Sequence, residues 1–376
     1  MGKRKGIIKE ALKVNAFTLV VFALLYFFCN GLFSLFSTGQ DGEWLLSQYV
    51  TLKNNGRSPV YEENILICTI AGVNARDSIA AIIERLNSYN PLAIGCDIIF
   101  SHASGIDSLQ SLHLKQAVEG NSRIVVAQRP VLDGLGRLSS VEESIFENSI
   151  AGDVTVYSDG CHFRETYIEG QKFVSFSSLV AETAVGNIEY PSEKYAINYT
   201  NRYFPVLGID DICREDVEGK IVLLGDTEDL RDYVDLDFAT ADHRFHETLA
   251  TSKRVPGIFL HAYAVATMIN GDWVVTVPKW ISLLLGFTAS FLLCLLGEYW
   301  EVKGIPRCYF KCVHLVLFTL MIWMCYPLYL AFDIIISPLY FTIGVAMTDF
   351  SAAGLDTLTY LKAKLSKLVR KNNVKK

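Results

Sequence analysis

The apolar positions of this chain are unevenly spread. Residues 14–36 are 23 positions without a charge, residues 37–250 are mixed and polar enough for water, and long apolar runs resume at Trp280. At 1.5 Å per helical residue the first run reaches about 34 Å, enough for the roughly 30 Å hydrocarbon core of a bilayer. A cleaved signal peptide would share the basic start at Lys3, Arg4, Lys5, Lys9 and Lys13. This apolar stretch is too long for one, and no small-x-small cleavage site follows it. Runs at 280–297, 312–332 and 334–348 predict three further spans, the last bracketed by Asp333 and Asp349 and containing Pro338.

Lysine and arginine near the span ends set the orientation. The leader is basic, the loop after residue 298 carries Lys303, Arg307 and Lys311, and the tail beyond Asp356 holds seven basic residues and no acid. Placing all three in the cytoplasm satisfies the positive-inside rule. The expected organisation is a cytoplasmic leader (1–13), a span (14–36), an extracytoplasmic domain (37–278), three spans (279–348) and a basic cytoplasmic tail (349–376). In that tail Leu358, Leu361, Leu365, Leu368 and Val369 recur at helical spacing beside the lysines, which predicts an amphipathic helix for the membrane surface or a partner.

Within 37–278 the apolar pattern alternates between strand and helix. Residues 64–71 form a β-branched apolar run, Ile79, Ile82, Ile83 and Leu86 recur at helical spacing over 76–89, Asn90-Pro91 breaks that helix, and 92–100 (LAIGCDIIF) is a second buried strand. Strand, helix, strand over about 35 residues is a βαβ unit with a right-handed crossover. A helix is expected over 108–118, a strand over 123–127, a hairpin whose strands 152–157 and 163–169 flank Ser158-Asp159-Gly160, a helix over 176–183, and strands over 195–199 and 220–224. After a polar stretch, Pro256-Gly257 opens a helix over 258–270. The fold class is therefore α/β, a mostly parallel sheet with helices on both faces, plus about four transmembrane helices.

Composition and charge narrow the function. Hydrophobic residues make up 51% and charged residues 20%, and the net charge of −6 combines a basic cytoplasmic edge with an acidic exterior, which argues against a nucleic-acid partner. The nine cysteines include no CxxC, and the external four are widely spaced. No G-x-S-x-G, H-E-x-x-H, Walker loop or dinucleotide glycine turn is present, so neither an enzyme nor a cofactor is called for.

Ligands of open α/β sheets bind beyond the carboxyl ends of the strands. That rule selects Asp97 after one strand and Gly225 with Asp226 after another. Asp159 of the turn and Arg164 beyond it are further candidates, although a hairpin turn and an ion pair with a neighbouring carboxylate account for them more simply. Asp242, His243, His246 and Glu247 have the spacing of a metal cluster but lack a further histidine nearby, and no metal is assigned. His261, inside the 258–270 helix, reads as a core histidine.

Several segments in fixed order resemble a known family. LAIGCDIIF, SDGCHFR (158–164), SFSSLV (175–180), INY (197–199), EGKIVLLGDT (218–227) and VPGIFLHAYAVATMING (255–271) are similar to the second type of CHASE domain, an extracellular sensor associated with bacterial cyclases and kinases. The resemblance spans residues 65–348 and includes the anchor and following spans, while the turn after the first strand keeps Arg76 without the family's Trp or Pro. It implies a multi-pass protein of the bacterial inner membrane with both termini cytoplasmic, homodimerisation, and a sensor function. The 28 residues from Asp349 are too few for a cyclase or kinase module, so the expected relay is through the spans to a separate cytoplasmic output protein. Competing readings are a structural or assembly subunit of a membrane complex and an outward-facing hydrolase using Asp97 and Asp226.

Overall fold

The computed structural model describes residues 12–14, 16–17, 50–51, 53–54 and 59–336, apart from 74, 101–107, 133–137, 143–144, 156–160, 201, 242–250 and 306. The chain divides into two compact units, Leu46–Val275 and Met1–Leu45 with Thr276–Lys376.

The first unit is built on a seven-stranded sheet. Its elements in chain order are β1 (Ile65–Thr69), α1 (Arg76–Ser88), β2 (Ala93–Cys96), α2 (Ser108–Val118), β3 (Ile124–Leu132), β4 (Leu138–Glu142), β5 (Ile150–Asp153), α3 (Phe176–Val185), β6 (Val206–Gly208), β7 (Ile221–Gly225) and α4 (Gly257–Asn270). Across the sheet the order is β6-β1-β7-β2-β3, all parallel, with Ile221 beside both Ile65 and Ala93 and Ile94 beside Ile124. Beyond β3, β5 runs parallel along Val125–Gln128, and β4 pairs antiparallel along Arg129–Leu132. Strands covered on both faces need apolar residues at every position, which is why ILICT, AIGC and IVLLG read as unbroken runs rather than alternations.

Alternate residues divide between the two faces. Leu66, Cys68, Ile94, Cys96, Val126, Val222 and Leu224 join Ile79, Ile83, Leu86, Leu114 and Val118 of α1 and α2 in one core. The opposite face takes α3 and α4. Helix α3 lies so close that a Cβ on Gly95 would stand 2.8 Å from Val180 Cγ2 and 2.9 Å from Phe176 Cζ, and one on Gly152 only 2.4 Å from Phe176 Cα. Phe176 itself is fully buried, a contribution of about 1.5–3 kcal/mol. Asn90 stops the run after α1 with φ 59°, a left-handed conformation that asparagine tolerates, and Pro91 then bars any return to helix.

The expected hairpin around Ser158-Asp159-Gly160 forms elsewhere. Ile150–Asp153 is drawn into the sheet beside β3, and Cys161–Phe163 pairs with Lys194–Ala196. The hairpin instead joins Glu165–Ile168 to Gln171–Val174, where Glu169 and Gly170 supply two successive positive φ angles, 50° and 85°. Residues 156–160, including Asp159, lie outside the described residues. The polar stretch before α4 contains two strands. Tyr233–Ala241 and Thr251–Pro256 form an antiparallel pair, and residues 242–250, with Asp242, His243, His246 and Glu247, lie outside the described residues.

In the second unit, Lys279–Val302 and Arg307–Phe332 are long helices, the latter with Pro327 inside. Among the described residues one helix, Trp280–Val302, is long and apolar enough to cross a membrane by length and composition. The run 14–36 lies almost wholly outside the described residues, as do 337–348. Where the last span was expected to begin, Asp333 turns the chain at φ 53° and Ile334–Ile335 are extended, so no helix starts there.

Gly152→Ala is expected to destabilise the full-length protein by about 1–3 kcal/mol, because the obstacle is the backbone of α3 and cannot rotate away. Gly225→Ala should cost less, since its one tight contact is the flexible end of Ile258 at 2.8 Å and the atoms of Asp97 stand at ordinary contact distance. Thermal melts in detergent check the order of the two; equal melting temperatures would contradict the close approach of α3.

Candidate functional site

Several parallel strands end at one edge of the sheet. β2 ends into Asp97, β7 into Gly225-Asp226, and β5 in Asp153, while β3 runs on to Arg129. Asp97 N–H donates to Leu224 O at 2.8 Å, which sets Asp97 beside Gly225; the Cβ position on that glycine is 3.5 Å from Asp97 Cβ. Gly225 thus leaves the space that Asp97 and Ile258 fill. The close approach, rather than a positive φ, explains the glycine.

Asp97 is largely covered, its side chain 13% exposed, and no hydrogen-bond donor among the described residues reaches its carboxylate. Burial pushes its carboxyl up to about 6, with the charge of Arg129 pulling the other way. His261 Nε2 stands 4.0 Å from Asp97 Oδ1. The other ring nitrogen, Nδ1, is 2.8 Å from Ser177 Oγ of α3, and the ring packs edge-on against Phe176 at 5.0 Å. Burial drives His261 down to about 4, opposed by Asp153. Across this edge, the Asp232 carboxyl lies against the start of α4, its Oδ2 3.0 Å from the Cβ position of Gly257. Partial burial of the carboxyl and then the charge of Asp97 raise it, an effect moderated by the part of the residue that faces solvent.

The structure gathers Asp97, Gly225 and Asp226 but gives them different work. Asp226 Oδ1 accepts from Glu228 N at 2.8 Å and Asp229 N at 3.2 Å, so this carboxylate caps a turn. Arg164 is not brought to the edge. Its Nη2 pairs with Glu182 Oε1 at 3.1 Å and its guanidinium lies 4.8 Å from the Tyr190 ring, further along α3 than Ser177. Ser177, Asp232 and Arg129 were not legible in the sequence. Ser177 and His261 are 84 positions apart, and no spacing rule connects them.

Asp97, His261 and Ser177 have the composition of a nucleophilic triad without its geometry. Ser177 is fully buried and His261 is 2% exposed, so no substrate reaches the hydroxyl. The Asp–His separation of 4.0 Å exceeds a hydrogen bond, and a histidine near 4 is too weak a base near neutral pH. The arrangement can take up or release a proton at Asp97. Among the described residues no group of three or more His, Cys, Asp or Glu side chains is placed to hold a metal ion.

A family model described as the CHASE2 domain matches residues 62–296. The chain belongs to the CHASE2 family. No curated protein and no solved structure matches it. CHASE2 domains are a family of extracellular sensor domains rather than a catalytic family. The match takes in the whole sheet, α4 and most of the helix Lys279–Val302, and it ends before Arg307–Phe332.

The raised Asp97 carboxyl makes stability depend on pH. A folded value above the unfolded one means that the cost of burying the charge is absent below about pH 4, grows to about pH 6 and is complete above it. His261 is the reverse case: its depressed folded value costs nothing above about pH 6.5 and progressively more as pH falls toward 4. Asp97→Asn is therefore expected to stabilise the protein at pH 7.5, by at most on the order of 3 kcal/mol, with the gain fading toward pH 4. Melting temperatures of parent and variant across that range check it; a gain that persists undiminished at pH 4 contradicts it.

Proposed function

We propose that this chain is a membrane-anchored signal-input protein. Its α/β domain binds a ligand or partner outside the cytoplasm and relays that event through the spans to a separate cytoplasmic output protein. The observation that carries the reading is the continuity of the CHASE2 match, which runs from the sheet through α4 into a helix long and apolar enough to cross a bilayer. The exposed Trp280, Leu284 and Leu292 of that helix support it, because large apolar side chains left open call for a lipid or protein cover.

The ligand site in this reading is the carboxyl edge of the sheet around Asp97, the position where open α/β sheets bind ligands. A ligand that prefers one arrangement of this edge shifts the population of domain states by its difference in affinity for them. The basic leader, inner loop and tail lie on the cytoplasmic side, and the bilayer and the output protein are the partners.

A periplasm-active reporter inserted between residues 242 and 250 is expected to be active in cells, and the same reporter fused after Lys376 to be silent. Activity from the C-terminal fusion would overturn the four-span arrangement, and silence of the internal one would overturn the external placement of the domain.

A further inference from the structure

Opposite the Asp97 edge, a buried polar cluster joins parts of the chain far apart in sequence. Glu62 precedes β1, and Asp272 follows α4 by two residues, seven before the helix Lys279–Val302. Arg202 lies between them, its side chain 8% exposed. One guanidinium nitrogen, Nη1, bonds Glu62 Oε2 at 2.7 Å; the other, Nη2, pairs with Asp272 Oδ2. Asn270 Nδ2 donates to the same Glu62 oxygen at 3.0 Å, which links entry and exit directly.

The neighbours of Arg202 repeat the pattern. Asn198 Nδ2 donates to Asp272 O at 3.0 Å, Asn198 N donates to Thr267 Oγ1 at 3.0 Å, and Tyr263 OH donates to Arg202 O at 3.3 Å. On the entry side Asn54 Nδ2 donates to Tyr199 O at 2.9 Å, and Val60–Tyr61 pair in parallel with Arg202–Tyr203. Residues around Arg202 are thus bonded on one side to the segment that enters the domain and on the other to the segment that leaves it. An arginine suits this position because its planar fork holds two N–H-bearing nitrogens in fixed directions, one toward each carboxylate, where a lysine ammonium offers a single compact point on a flexible stem.

We propose that the Arg202 cluster is a clasp that fastens the chain's entry into the domain to its exit, so that both tethers respond to the domain as one body. Its use as a relay rests on the sensor reading; the clasp itself does not. Burial makes the coupling strong on the entry side, since separating Arg202 from Glu62, 8% and 6% exposed, leaves desolvated charges without their partner, while Asp272, 29% exposed, holds the exit side through the same guanidinium.

Hydrogen exchange of the full-length chain in lipid nanodiscs tests the clasp. In Arg202→Lys, peptides over 53–62 and 263–274 are expected to exchange together, roughly tenfold or more faster than in the parent, while peptides over β1 and β7 keep their protection. Asp272→Asn should loosen the exit segment, and Arg164→Lys, which disturbs a remote ion pair, should leave both segments unchanged. Should Arg202→Lys unfold the whole sheet, Asp272→Asn decides. Parental protection in both segments of Arg202→Lys, loosening of only one of them, or an unaffected exit in Asp272→Asn would overturn the proposal. Failure of the sensor reading appears separately, in the reporter topology.

Discussion

The approach of α3 to the sheet at Gly95 and Gly152 is the constraint on which the α/β domain depends. With no side chain at either position the helix backbone settles against β2 and β5, and Ser177, one residue beyond Phe176, comes within hydrogen-bond reach of His261. That contact fixes the imidazole, and the imidazole in turn faces Asp97. A larger residue at Gly152 would lift α3 away and break the chain of positions at its first link. The polar edge of this sheet is therefore held from below, by packing, rather than from the solvent side by ion pairs.

The elements that sequence pattern revealed are those whose pattern is local. Runs such as ILICT and IVLLG declare buried strands, and the spacing of Ile79, Ile82, Ile83 and Leu86 declares α1, because in each case the apolar positions alone define the periodicity. The turn at Ser158-Asp159-Gly160 misled because a good turn signal does not say which strands pair; Ile150–Asp153 had a better partner in β3, with both faces covered. The pair Tyr233–Ala241 and Thr251–Pro256 was missed because its charges and threonines obscure the alternation.

The candidate edge was legible to the same limited degree. Topology alone points to Asp97 and to Gly225-Asp226, since strand ends can be read from the runs that precede them. What separates Asp97 from Asp226 is whether nearby backbone N–H groups occupy the carboxylate, and that depends on the turn beyond each strand. Ser177, His261 and Arg202 owe their partners to contacts between distant segments. Their residue types gave no hint, because buried serine, histidine and arginine are ambiguous until their neighbours are known.

Helix α4 connects the two polar regions. Its fourteen residues extend about 21 Å, from Gly257 against Asp232 to Asn270 against Glu62, and twelve of them are buried. A helix enclosed in this way has no solvent face onto which it can roll, and it carries no proline after its first turn to bend it. An unbent helix fixes the spacing of its two ends. A shift along its axis at the Asp232 end would therefore be felt at the Glu62 end, where hydrogen-bond strength falls steeply with distance.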